Sequence, residues 1–296
     1  MKKKQDILII TIILLLITYI LIYNQNITLI IKASALLWFN SVFPALFPMF
    51  ILNDLLLSYH IDYYICKLFK KNGLKYYVFI MSLLSGCPSS AYIIKNLYIN
   101  KSIDELYASK LLAFTYFSSP LFLITTLSFL FTNKTTIIKV ILIHYLSNFI
   151  ISLFYKIKTN DELNYKVTKD FGSNFANAIN KSINTLLMIL GTLTFYIITS
   201  YILIDILNIK PIHSNIIKGL LEVTQGLNSL NDLFICNNFK IILVTLFINF
   251  GGFSIHSQIK SIISDTSIKY TYFFYGRIYQ TLISLIITTI LFRLPH

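Results

Sequence analysis

The chain alternates long apolar stretches with short polar interruptions, a pattern typical of helices that cross a membrane. Residues 7–23 are apolar and follow three lysines at positions 2–4. Because no small-residue cleavage site comes after them, we predict a retained first span with its N-terminus in the cytoplasm. A second span is predicted to end near Ser58. Its Pro44 and Pro48 each remove a backbone hydrogen bond, so this helix should bend or begin at Pro44.

An interrupted apolar stretch over residues 76–97 predicts the first of two hairpins. Its polar interruption at residues 85–90 lies in the middle, and Lys95, Lys101 and Lys110 follow it. A full crossing would place these lysines outside, whereas a hairpin that turns back at the interruption keeps them in the cytoplasm. The positive-inside rule therefore favours a re-entrant hairpin.

Two further spans complete the first half of the chain. Residues 111–131 should cross the membrane with an interruption at residues 115–120, and residues 137–155 should cross back. The polar segment 156–181 then divides the chain near its middle and is predicted to be a cytoplasmic linker.

The second half repeats this order of elements. A span over residues 183–207 precedes a hairpin over 216–235 that breaks at 224–226, a span over 241–263 that breaks at 249–254, and a last span over 272–292. Since the two leading spans run in opposite directions, we predict an all-α polytopic membrane protein with inverted repeats, two re-entrant hairpins and broken helices. The predicted units are an N-terminal span (1–26), a first repeat (27–157), the linker (158–181) and an inverted second repeat (182–296).

Composition and charge agree with a membrane protein. The chain is 56% hydrophobic and 12% charged, which is too few charged groups to solvate a globule of 296 residues. Its net charge of +13 comes from short lysine runs between apolar stretches, which are topology signals rather than a nucleic-acid surface. The three cysteines, at no paired spacing, predict neither disulfides nor a zinc site. No paired-histidine motif or carboxylate cluster indicates an enzyme or a bound cofactor.

Breaks at corresponding places in the two halves predict a binding site at the bilayer midplane, because unwound backbone at that depth must be buried or line a polar cavity. Small residues at such breaks can instead serve helix packing, and the serines before Pro120 can simply cap a kink. The predicted substrate-binding residues are Ser85, Gly86, Ser89, Ser90, Ser118, Ser119, Glu222, Thr224, Gly226, Gly251, Gly252, Ser254, His256, Gln258 and Arg277.

Three parts of this prediction rest on particular chemistry. Glu222 is a carboxylate inside an apolar stretch and is expected to bind substrate, Na⁺ or H⁺. The alternative is that Glu222 lies at the shallow end of the hairpin in the membrane and forms a salt bridge with Lys218. Arg277 offers a dianion two parallel hydrogen bonds, although snorkelling to the interface is equally compatible with its position. Polar side chains occur at every second position after the two glycines, which predicts an extended, unwound segment rather than a lipid-facing helix. They are Ser254, His256 and Gln258.

Five segments, taken in order, resemble the YlbJ-type sporulation integral membrane proteins of the nucleoside-recognition Gate domain group. They are Leu37-Trp38-Phe39-Asn40-Ser41-Val42-Phe43-Pro44-Ala45-Leu46-Phe47-Pro48, Ser85-Gly86-Cys87-Pro88, Ser118-Ser119-Pro120, Leu221-Glu222-Val223-Thr224-Gln225-Gly226 and Gly251-Gly252-Phe253-Ser254-Ile255-His256-Ser257-Gln258.

This resemblance implies a carrier whose architecture is similar to that of concentrative nucleoside transporters. It also implies a dipicolinate substrate, moved across the outer forespore membrane in endospore formers. The chain departs from the family pattern at Tyr116-Phe117, where two asparagines are expected, and at Cys87 and Ser89-Ser90 in the first hairpin.

We therefore expect a multi-pass bacterial membrane transporter of a small anionic metabolite, with dipicolinate as the first candidate. The expected partners are this substrate, the bilayer and possible further copies of the chain, but not nucleic acid. One alternative is a carrier of nucleosides or other small metabolites. Another is a membrane assembly factor that transports nothing.

Overall fold

A computed structural model describes residues 2–69, 72–155 and 170–292 of the protein, with side chains from Asp6 onward. All regular secondary structure within these residues is helical. Five helical segments are long and apolar enough to cross a membrane, which makes the chain a multi-pass membrane protein. They are Asn24–Ser58, Lys134–Phe154, Phe171–Ile206, Asn237–Ile262 and Tyr270–Phe292.

The N-terminal helices form one nearly continuous rod. Helix α1 (Lys2–Ile22) leads into α2 (Asn24–Leu37) without a loop, because Ile27 N–H still donates to Tyr23 O at 3.1 Å. A π-helical turn (Trp38–Val42) then joins α2 to α3 (Phe43–Ser58). Pro44 lies in the first turn of α3, where its missing N–H is tolerated. The predicted interruption at Pro44 is thus a change of helix type.

The segment of the first predicted hairpin forms two helices that pack against each other. After α4 (Ile61–Phe69), helices α5 (Gly73–Ser85) and α6 (Ser89–Ile99) are joined by a turn at residues 86–88. We call α5 and α6 hairpin 1. Gly86 adopts a φ of 78°, which reverses the chain direction. A residue with a Cβ atom would be sterically strained at this φ, whereas glycine is not.

The next span is broken where the sequence predicts. Helix α7 (Glu105–Phe114) ends at an extended segment, residues 115–119, and α8 (Pro120–Leu130) begins directly after it. Ser119 Oγ accepts a hydrogen bond from Phe122 N–H at 3.3 Å, and Pro120 occupies the first turn, so these two residues start the new helix. Helix α9 (Lys134–Phe154), one of the five candidate spans, then follows.

The long helix α10 (Phe171–Ile206) begins earlier than the sequence predicts. Residues 156–169 lie outside the described part of the chain, and residues 171–181, expected to belong to the linker, are helical. The Asp170 carboxylate starts this helix by accepting from Ser173 N–H at 3.3 Å. Buried residues at positions 174, 178, 182 and 186 then give the helix one continuous packed face.

The second half contains five further helices. Helices α11 (Pro211–Leu221) and α12 (Val223–Ser229) form hairpin 2, and they are followed by α13 (Asn237–Phe250), α14 (Gly252–Ile262) and α15 (Tyr270–Phe292). The break between α13 and α14 is confirmed at Gly251, which has a φ of 86°.

The predicted break at residues 224–226 is wrong, because the chain leaves the helical conformation at Glu222. Thr224, Gln225 and Gly226 lie inside α12. The Glu222 carboxylate explains the position, since it accepts from Gln225 N–H at 2.6 Å and so caps α12. Gly226 serves packing instead, since a Cβ atom added there would lie 2.1 Å from Gly219 Cα.

Side-chain contacts identify which helix termini share one end of the molecule. Lys95 Nζ lies 2.6 Å from Asp265 Oδ1, and Lys75 Nζ donates to Ser152 O at 2.7 Å. The outer termini of hairpin 1 therefore lie beside the end of α9 and the loop between α14 and α15. We call this end lysine-rich because it also carries Lys67, Lys101, Lys110, Lys181, Lys260 and Lys269.

Hairpin 2 enters from the opposite end. Lys240 Nζ lies 3.2 Å from Asn231 Oδ1, just after α12, and donates to Leu130 O at the end of α8. Lys139 Nζ, near the start of α9, donates to Leu291 O near the end of α15. The two hairpins thus approach the middle of the molecule from opposite ends.

Helix α15 lies at the centre of the helix packing and contacts α7, α9 and α13, while α3 packs along α10. One apolar cluster, which includes Val78 and Ile94, surrounds hairpin 1. A second, which includes Leu227 and Val244, surrounds hairpin 2. The two hairpin tips project between these clusters.

Candidate functional site

The tip of hairpin 1 rests on the extended segment 115–119. Cys87 N–H donates to Phe117 O at 2.7 Å, so each unwound backbone satisfies the other. A Cβ atom added at Gly86 would lie 2.8 Å from the Ser119 nitrogen. Only glycine permits this approach, which explains the position of Gly86 between Ser85 and Cys87.

The tip of hairpin 2 rests in the same way on the break between α13 and α14. Gly251 and Gly252 have φ values of 86° and 68°. A Cβ atom added at Gly252 would lie 3.1 Å from the Val223 nitrogen and 3.2 Å from Leu221 O. Each half of the chain therefore brings one hairpin tip against one broken helix.

A single cavity lies between the two tips and is closed laterally by α3 and α10. It is a small cavity, with a volume of about 50 Å³. We call it the central cavity. The first half contributes Cys87, Tyr116, Phe117, Ser118, Ser119 and Phe122, the second half contributes Glu222, Val223, Thr224, Ile255 and Gln258, and the lateral helices contribute Val42, Leu46, Ile189 and Leu193.

Glu222 places a carboxyl group in the wall of this cavity. The residue is 3% exposed, and the hydroxyls of Thr224 and Ser254 lie close to its carboxyl group. Ser254 Oγ is itself buried and has no hydrogen-bond partner. Within the described residues Glu222 forms no ion pair, so the alternative pairing with Lys218 is absent. Lys218 contacts it only through the backbone, where Glu222 N–H donates to Lys218 O.

Ser118 and Ser119 form the opposite wall. Besides capping α8, Ser119 presents the positive end of that helix to the cavity. The Ser118 N–H donates to His144 Nε2 at 3.0 Å, which fixes the extended backbone. Because Nε2 accepts this bond, His144 carries its proton on Nδ1 and donates it to Asn249 Oδ1 at 3.0 Å.

Arg277 is fully buried behind the cavity wall. Its guanidinium Cζ lies 4.3 Å from the centre of the Tyr116 ring, and Tyr116 separates it from the cavity. The NH2 group donates to Ala113 O at 2.8 Å, and NH1 donates to Gln280 Oε1. Within the described residues no carboxylate pairs with this cation, and its Nε has no hydrogen-bond partner. The alternative that Arg277 snorkels to the interface is wrong, because its exposed fraction is 0%.

The prediction of an unwound strand at Ser254, His256 and Gln258 is also wrong, because all three lie in α14. The glycines interrupt the helix only at residue 251, after which α14 starts at once. Gln258 lines the central cavity and donates to Thr192 Oγ1 at 2.7 Å. His256 points away, lies 2.6 Å from the Tyr270 hydroxyl, and its Nε2 contacts Phe250 O at 3.2 Å. It satisfies a carbonyl left free by the break.

The structure thus brings five predicted residues together at the central cavity: Ser118, Ser119, Glu222, Thr224 and Gln258. Gly86, Gly251 and Gly252 shape the breaks that border it. Ser85 donates back to Met81 O within α5, and Ser90 is buried in α6. Ser89 lines a different cavity.

Sequence reasoning missed the polar residues that support the cavity from behind. Helix α9 buries His144, Ser147, Asn148 and Ser152, and α15 buries Gln280, Thr281, Ser284 and Thr288 on the same face as the predicted Arg277. Both sets recur at spacings of three and four residues, which places each set on one helix face. That spacing was the available signal. The described residues contain no group of three or more metal-ligating side chains.

Comparison with known proteins gives one informative similarity. No protein-family model matches the chain, and no solved structure matches it. The chain is 25% identical to "Sporulation integral membrane protein YlbJ" of Bacillus subtilis (strain 168), over 88% of this chain and 76% of that protein. The similarity confirms the YlbJ-type assignment that the five sequence segments indicated.

Proposed function

We propose that the protein is a multi-pass membrane transporter of a small anionic metabolite, with dipicolinate as the first candidate. The observation that carries the proposal is the meeting of two hairpin tips and two broken helices, one of each from either half, around one buried cavity. Interrupted helices at membrane depth are the usual way in which transporters build a substrate site.

The arrangement of the halves supports an inverted repeat with two re-entrant hairpins. In the first half, a long helical rod precedes hairpin 1, the broken pair α7–α8 and the single helix α9. In the second half, α10 precedes hairpin 2, the broken pair α13–α14 and the single helix α15. The hairpins enter from opposite ends, as inversion requires. Alternating access would then be a movement of one repeat against the other.

The charges around the cavity favour an anion that carries an aromatic ring. Arg277 supplies an uncompensated positive charge behind Tyr116, and the N-terminus of α8 adds a partial positive charge at Ser119. The rings of Tyr116, Phe117 and Phe122 offer apolar surface beside these charges. Dipicolinate combines a planar ring with two carboxylates, so it suits both features.

Glu222 is proposed as the coupling site on the other wall. A carboxyl group with no cationic partner can bind H⁺ directly, or Na⁺ together with the oxygens of Thr224 and Ser254. No covalent chemistry and no bound cofactor are proposed. The proposed location is the outer forespore membrane if the source organism forms spores, and the similarity to a sporulation protein supports it.

Uptake into proteoliposomes tests the proposal. Purified protein should accumulate labelled dipicolinate, and unlabelled aromatic or dicarboxylic acids should compete, whereas uridine and adenosine should not. Competition by nucleosides at lower concentration than by dicarboxylates would favour the nucleoside carrier. Absence of all uptake by folded, correctly inserted protein would favour an assembly factor.

A further inference from the structure

A second cavity lies between α3, α6 and α10, outside the site described above. It has a volume of about 270 Å³, and its wall combines amide, hydroxyl and charged side chains with a larger area of apolar surface. We call it the polar cavity. Its mouth is at the lysine-rich end, where Lys181 Nζ lies 3.9 Å from Asp54 Oδ2.

The polar cavity and the central cavity lie in series along one groove. On α3, Leu46 lines the central cavity, and Asn53, two turns later on the same face, lines the polar cavity. On α10, Ile189 lines the central cavity, and Thr185, one turn earlier, lines the polar cavity. The groove is therefore more polar in its outer part than in its inner part.

The tip of hairpin 1 is the wall between the two cavities. Cys87 lines the central cavity, whereas Ser89, two residues later at the start of α6, lines the polar cavity. A small displacement of this tip would join the two spaces.

Two buried polar atoms in the polar cavity have no partner. Asn53 is 5% exposed and its Oδ1 accepts no hydrogen bond, and Ser182, 2% exposed, has an unpaired Oγ. An unpaired buried polar group is destabilising, so such groups are usually satisfied by a ligand or by water. Both lie on the cavity wall below Lys181.

We propose that the polar cavity is a second binding site, which holds a small carboxylate anion between the lysine-rich end and the tip of hairpin 1. Lys181 supplies the attracting charge, and Asn53, Asn96 and Ser182 supply hydrogen bonds to the carboxylate. Asp54 competes for Lys181, which keeps binding weak, as a site passed in transit requires. The inference rests on the proposed transport of an anion and adds the route by which it arrives.

Cysteine labelling tests the site independently of transport. Thr185→Cys, in a protein whose Cys66, Cys87 and Cys236 are changed to serine, should react with an anionic methanethiosulfonate reagent. The matched control is Leu187→Cys on the same helix, since Leu187 is 54% exposed on the lipid-facing side. A thiolate forms only where water reaches it, so Thr185→Cys should react about ten times faster than this control. Asn184→Cys, at the same cavity, is the second position should Thr185→Cys fold poorly.

Millimolar dipicolinate should slow this labelling several-fold in vesicles of neutral phosphatidylcholine. Lys181→Gln should remove the protection, whereas Lys269→Gln, which changes a surface lysine at the same end, should keep it. Equal labelling of Thr185→Cys and Leu187→Cys, or labelling that dipicolinate does not slow, would overturn the inference. Protection by phosphatidylglycerol but not by dipicolinate would assign the site to a lipid headgroup and would also overturn it.

This outcome can be separated from that of the proposed function. Protection without any uptake supports the second site and contradicts the transport proposal. Uptake without protection supports transport and contradicts the second site.

Discussion

The carboxyl group of Glu222 carries a cost that its surroundings only partly offset. An ionised acidic group near the bilayer centre costs about 2.5–3.5 kcal/mol on insertion scales. The hydrogen bond from Gln225 N–H reduces this cost and fixes the side chain at the tip of hairpin 2. The side-chain oxygen of a glutamine would accept the same hydrogen bond from Gln225 N–H. Capping of α12 therefore does not by itself require an ionisable side chain at position 222. The charge, or the proton that replaces it, is what glutamate adds.

Glu222→Gln should therefore insert and fold normally yet lose accumulation driven by a gradient of Na⁺ or H⁺. Exchange of substrate down its own gradient should persist. The measurement is uptake into proteoliposomes with imposed ion gradients across a pH series. Glu105→Gln, which alters a half-exposed carboxylate paired with Lys269 at the surface, is the control and should behave like the parent. Accumulation by Glu222→Gln equal to the parent's would show that Glu222 is not the coupling residue.

The hairpins depend on close backbone contacts that single glycines permit. Gly86 combines a φ of 78° with an approach to Ser119 that leaves no space for a Cβ atom. The hairpin 1 tip is thus held by two constraints at once, one conformational and one steric. Its position sets the wall shared by the central and polar cavities.

Gly86→Ala should displace the tip and lower the free energy of unfolding by about 1–3 kcal/mol, because alanine is strained at this φ and collides with Ser119. Gly191→Ala is the matched control, since a Cβ atom there meets nothing within 4 Å and the residue lies inside α10. That variant should be as stable as the parent or slightly more stable. Thermal unfolding in detergent measures both. Equal unfolding temperatures for the two variants would contradict the role given to Gly86.

The helix breaks could be predicted from sequence because their causes are local. Pro120 cannot donate a backbone hydrogen bond, and adjacent glycines at 251 and 252 allow positive φ, so both interruptions follow from residue type. The break at Glu222 was predicted two residues too late because two residues could each have caused it: Glu222 by capping a helix, or Gly226 by weakening one. The structure shows that Glu222 caps α12, whereas Gly226 packs against Gly219.

The polar network was harder to predict because its members come from four helices. His144 contacts Asn249 and the backbone of Ser118, and Arg277 contacts Ala113. Each of these residues alone resembles an isolated polar residue in an apolar span. Only tertiary packing brings them together, although the three- and four-residue spacing along α9 and α15 already indicated a buried face.

Within the described residues, lysines are more numerous at one end of the molecule than at the other. Eight lysines gather at the lysine-rich end, counting Lys75 and Lys95 with the six named there, and Lys134, Lys139, Lys210, Lys218 and Lys240 belong to the opposite half of the molecule. The positive-inside rule predicts that the lysine-rich end is cytoplasmic. In that orientation hairpin 1 would enter from the cytoplasm and hairpin 2 from the other side.

Cysteine labelling in intact cells measures this topology. In a background without Cys66, Cys87 and Cys236, Lys71→Cys and Lys166→Cys should be protected from an impermeant reagent added outside. Both positions lie outside the described residues but are flanked by helix ends at the lysine-rich end. Lys210→Cys, just before hairpin 2, should react from outside. Outside labelling of Lys71→Cys or Lys166→Cys would contradict the inverted arrangement.

The buried guanidinium of Arg277 also bears on how the protein is made. It lies in α15, the least apolar of the five candidate spans in the described residues. Ala113, Tyr116 and Asn148, which surround the cation, all precede it in the chain. Because synthesis runs from the N-terminus, these three groups leave the ribosome before the arginine, and Gln280, the acceptor of its NH1 group, follows three residues later. A chain cut before α15 would keep Ala113, Tyr116 and Asn148 and lack the cation, so the polar interior is complete only once α15 has been made.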